Sequence, residues 1–165
     1  MVADTIDPAR ERHDWVLLAY RLPREPSSPR IAVWRRLKRL GVAQLLDGLV
    51  ALPSDARNKE RLEWVADEVV EAGGEATIWI GRLASPAEER AIVSGLASAV
   101  VAHYQTVIAA AESVRDADEV VRRRTLQRLR RELRRIRQRD YFPPPEAEEA
   151  RGAVEALASL TEVPA

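Results

Sequence analysis

The sequence contains no cysteine. Disulfides and thiolate metal sites are therefore excluded, and nothing points to an oxidising compartment. Histidine is nearly absent: His13 lies in a polar N-terminal stretch and His103 in a helical one. No metal-ligand spacing, no nucleophile–base pair and no phosphate-binding glycine loop is present. No continuous run of about eighteen apolar residues occurs, and the N-terminus is polar, unlike a signal peptide. Net charge is also lacking, since 26 basic side chains balance 26 acidic ones in 165 residues. These absences lead us to expect a non-enzymatic, cytoplasmic protein with no metal, no cofactor and no membrane attachment.

What is present is a local segregation of charge. Residues 116–140 hold ten arginines against five acids, and residues 141–165 hold one arginine against five. Arginine outnumbers lysine 24 to two, a bias that is often a matter of GC-rich coding and so is weak evidence by itself. The clustering is the more informative signal.

Residues 1–13 are polar and read as a flexible arm. The organising stretch is Trp15 to Pro53. Trp15–Tyr20 is apolar throughout and short, as for a buried strand. Ser28-Pro29 reads as a helix start, with Ser28 as cap, and Gly41 as its left-handed end. Ala43–Leu46 and Leu49–Leu52 flank Asp47-Gly48, a hairpin signal that asks for positive φ at both turn residues. Ser54 can cap a second helix over 55–72, stopped by Gly73-Gly74, before a fourth strand, Ala76–Ile80. The order strand, helix, strand, strand, helix, strand matches a ferredoxin-like α+β sandwich over residues 14–83. Both central strands are apolar on both faces, so the second sheet face should also be covered, by later helices or another subunit.

Residues 84–165 read as a helical extension. Ser85-Pro86-Ala87-Glu88 is a capping box for a long helix. Its apolar residues, from Val93 through Tyr104 to Val114, follow heptad steps. A second helix, over 118–139, carries Leu126, Leu129, Leu133 and Ile136 at the same spacing, so the pair suggests an antiparallel helical hairpin. After three prolines a final helix, 146–160, has an apolar stripe behind an acidic face. Heptad spacing and the two-faced sheet together imply a homo-oligomer, such as a dimer.

Three sets of residues could bind a partner. On the 118–139 helix, Arg123, Arg124, Arg128, Arg131, Arg134, Arg135 and Arg139 cover the surface left by the apolar stripe, where guanidinium groups could track phosphates. The alternative is that the acidic final helix folds over them. Arg35, Lys38 and Arg39 form a second basic patch on the first helix, which is also what a plain solvated face looks like. Arg21, Arg24 and Arg30 surround Ser27 and Ser28 at a helix start, where free N–H groups and the helix dipole favour an anion. There the alternative is that Glu25 pairs an arginine and the serines only cap. No carboxylate follows the first strand, which ends Tyr20-Arg21. A metal-dependent nuclease site at that place is therefore a minor alternative.

The stretch LLAYRLPREPSSPRIAVWRRLKRLGVAQLLDGLVALP resembles the N-terminal region of the ChrB family of chromate resistance regulators. LRRIRQRDYF, at residues 133–142, resembles the family's basic helix ending in Arg-Asp-aromatic-aromatic. The resemblance implies a chromate-responsive transcriptional regulator whose partner is operator DNA, with chromate or a sulfate-like oxyanion as effector. Family members continue into a C-terminal domain, so this chain looks like the N-terminal module. A different reading is an interaction or dimerisation module that binds a separate C-terminal partner domain and touches no DNA.

Overall fold

The computed structural model describes residues 12–161. The chain divides at Gly95 into two compact units. The first unit holds β1 (Trp15–Arg21), α1 (Ser27–Leu40), β2 (Ala43–Leu46), β3 (Leu49–Pro53), α2 (Ala56–Glu71) and β4 (Glu75–Gly81). Its strands form one antiparallel sheet in the order β2-β3-β1-β4. This is the expected ferredoxin-like βαββαβ arrangement.

Register explains why β1 is apolar on both sides. Val16 pairs with Leu52, and Leu18 with Val50. All four are buried, on the face covered by Leu62, Val65 and Val69 of α2. Burial of each such side chain stabilises the fold by roughly 1.5–3 kcal/mol. Trp15, Leu17 and Ala51 belong to the opposite face with Trp79. Cover on that face reaches Trp15, 1% exposed, but Trp79 remains 61% exposed.

Several local expectations are corrected. The cap of α1 is Pro26, without a side-chain hydrogen bond, so the helix starts at Ser27 and Ser28 caps nothing. Asp55, not Ser54, caps α2 by accepting from the Asn58 N–H at 2.7 Å. The Asp47-Gly48 turn has positive φ only at Gly48, and the β2–β3 pairing bulges between Gln44 and Leu46. A Cβ on Gly48 would come within 2.4 Å of the Tyr20 carbonyl oxygen, so the close approach of β1 requires glycine there.

The helix α3 (Pro86–Ser113) leads from the first unit into the second, which continues with α4 (Glu119–Arg137) and α5 (Pro145–Thr161). Val100, Tyr104, Val107 and Ala111 of α3 share one core with the leucines of α4 and with Ala150, Val154 and Leu157 of α5. The heptad residues are thus the buried ones. By length and composition alone α3 could also cross a membrane, with a mean hydropathy of 1.5. Its polar interruptions hide this in a search for unbroken apolar runs.

Candidate nucleic-acid interface

Asp118 caps α4, accepting from the Val121 N–H at 3.0 Å. Nine arginines and two glutamates, Glu119 and Glu132, give this helix a local charge of +7. At 3.6 residues per turn, Arg124, Arg128, Arg131 and Arg135 lie within about 60° of one another, on the side opposite the buried leucines. They form a row about 16 Å long. Arg123 and Arg134 belong to a second row beside it.

The partners decide what this charge can do. Two acids of α5, Glu148 and Glu155, both accept from Arg151 of their own helix, at 2.5 and 2.8 Å, although Glu148 also feels the charge of Arg137 on α4. Arg123 pairs with Glu119, and Arg135 with Glu132 at 3.6 Å, yet these guanidiniums stay 63% and 75% exposed. Arg124, Arg128, Arg131 and Arg134 are exposed and have no acidic partner among the described residues. Arg139 lies beyond the helix and is half-buried.

On α1, Arg35, Lys38 and Arg39 are all exposed. Lys38 sits over the Trp34 ring at 4.7 Å, a cation–π contact that leaves its charge accessible. Neighbouring Arg36 is bound to Glu68 of α2.

The proposed anion residues are only partly gathered. Arg24, Ser27 and Arg30 line an open cleft of about 670 Å³, together with Tyr20, Trp34, Gln44 and Asp47. Arg21 is diverted: it stands opposite Glu75 in the β1–β4 ladder and pairs with it at 2.9 Å. Ser28 does not line the cleft. Burial, then the Asp47 charge, pushes the Tyr20 hydroxyl above its usual range. That same Asp47 opposes an anion in the cleft.

Two sites escaped the sequence reading. Glu89, 3% exposed, accepts from the His13 N–H at 2.8 Å and from Trp15 Nε1 at 3.0 Å, both on Oε1. Arg12 pairs with its other oxygen at 3.1 Å. Burial would raise the Glu89 carboxyl, but these hydrogen bonds and the Arg12 charge outweigh it and hold it below the usual range. Residues 1–11, most of the expected arm, lie outside the described residues. The second site is Asp140, whose Oδ2 accepts from the Tyr104 hydroxyl at 2.6 Å. Burial raises Asp140 despite that bond and one from the Phe142 N–H. Phe142 is itself buried. Neither site has a local signal, because each pairing spans more than thirty positions.

Among the described residues, no three His, Asp or Glu side chains gather as metal ligands. Comparison with known proteins identifies one family model, Protein ChrB, N-terminal, matching residues 30–123. That segment runs from α1 to the start of the arginine rows. Protein ChrB of Cupriavidus metallidurans is 29% identical over 140 residues, which is 82% of this chain. The alignment covers 43% of that relative, so the chain spans less than half its length. No solved structure matches the chain.

Proposed function

We propose, since this chain belongs to the ChrB N-terminal family, that it acts in chromate resistance as a transcriptional regulator module that binds DNA through α4. The observation that carries this reading is the row Arg124, Arg128 and Arg131, with Arg134 beside it, exposed and without acidic partners among the described residues. Exposed guanidiniums on a rigid helix release condensed counterions when they meet phosphates. They hold the protein against the backbone and do not read bases. The α1 patch of Arg35, Lys38 and Arg39 supplies further phosphate contacts. An oxyanion effector would enter the cleft of Arg24, Ser27 and Arg30.

The test is a salt titration of binding to the protein's own promoter. Log affinity should fall linearly with log salt. Replacing Arg124, Arg128, Arg131 and Arg134 by alanine should make the slope shallower by about 3.6 units, near 0.9 for each of four lost phosphate contacts. An unchanged slope would remove α4 from the interface.

A second reading is a protein-interaction module that touches no DNA. Its support is the exposure of Trp34, Trp64 and Trp79, each at least 50% accessible. Aromatic residues in that state are typical of binding surfaces.

A further inference from the structure

The two edges of the sheet are built differently. β2 is four residues long and its pairing is broken by the bulge between Gln44 and Leu46. Short, bulged edges resist further pairing. β4 has seven residues in unbroken register with β1, with no proline, lysine or arginine. Its one charge, Glu75, lies at its start and is held by Arg21. On its outer side, every second residue presents an N–H and a C=O with no strand partner among the described residues.

The side chains at this edge are apolar and open. Trp79 is 61% exposed and Ile80 58% exposed. Val70 of α2 is also exposed, at 57%. It lies about 160° around α2 from Glu68, the residue that faces α1 through Arg36. Val70 is therefore on the side of α2 away from α1.

We propose that β4 is the seam of a homodimer, in which two copies pair antiparallel about a twofold axis through Ile78 and join their sheets. Ile78 is the middle residue of β4, so this register alone pairs all seven positions. It sets Trp79 of one copy against Thr77 of the other, and Ile80 against Ala76. Large residues meet small ones on both faces, and the strand is complementary to itself. Moving the axis by one residue leaves two positions of β4 unpaired. The seam does not involve the arginines of α4, so a failed salt titration leaves it standing, and the reverse also holds.

The test uses the natural absence of cysteine in the full chain. In this register Ile78→Cys lies opposite its own copy, about 4.5–5.5 Å between Cα atoms, within disulfide range. Ala76→Cys, four positions out of register with its copy, lies about 14 Å away. Under mild oxidation Ile78→Cys should form covalent dimers at least about tenfold faster than Ala76→Cys. Sedimentation equilibrium of the wild type should show a dimer. Trp79→Arg with Ile80→Arg should raise its dissociation constant at least about a hundredfold, with an unchanged circular dichroism spectrum. A chain that stays monomeric at about 100 μM would overturn the proposal and leave the edge to a strand from another protein. A dimer in which both cysteine variants cross-link equally slowly would overturn it too.

Discussion

Replacing Glu89 separates two contributions that a buried carboxylate makes. Its Oε1 accepts from His13 and Trp15, while its charge faces Arg12. Glu89→Ala removes the acceptor that the Trp15 indole N–H and the His13 N–H share. Two hydrogen bonds to an ionised acceptor, at about 1.5 kcal/mol each, set the cost near 3 kcal/mol. Arg12 is 42% exposed, regains water, and adds little. For a chain of this size that corresponds to a fall of about 10 °C in Tm. Glu89→Gln keeps an oxygen where Oε1 stands and loses only the charge, so it should cost about 1 kcal/mol. The acid response distinguishes them further. The folded-state carboxyl is held below its ordinary range. Its charge-dependent stabilisation is therefore complete above the unfolded value of about 4.3 and is lost as pH falls through the lower folded value. Thermal unfolding followed by circular dichroism should show wild type and Glu89→Gln converging below about pH 4. The reasoning is refuted if Gln and Ala cost the same, or if Ala unfolds within about 2 °C of wild type.

Tyr104→Phe should cost about 2 kcal/mol at neutral pH in urea unfolding, because Asp140 keeps its charge but loses a donor. Asp140 is already raised by burial, so that penalty should shrink once the pH falls through its raised value and the carboxyl is protonated; a pH-independent penalty would contradict this. In the α1 cleft, calorimetry should detect sulfate and chromate, with affinity reduced about tenfold in Arg24→Ala, the loss of one charge-assisted contact. Silence from both proteins would remove the cleft as an effector site.

Element order, strand and helix types, the heptad core and the arginine cover of α4 were legible in the linear chain. Each depends on periodicities of two to seven residues, which a local window contains. Helix and turn details were less legible, because Asp55 and Ser54 are both good caps and only the direction in which the chain enters α2 selects one. Asp47 likewise keeps negative φ because the bulge beside it absorbs the twist that a tighter turn would have carried. Long-range choices belonged to the tertiary structure. Arg21 could have faced an anion, but register set it against Glu75. Glu148 and Glu155 of α5 could have paired with the arginines of α4, but Arg151 lies one turn from both and pairs with them. Glu89 meets Trp15 across 74 positions, a pairing that no local pattern encodes. Composition and spacing decide which surfaces a segment owns, and only the closing of the chain on itself decides which of them remain exposed.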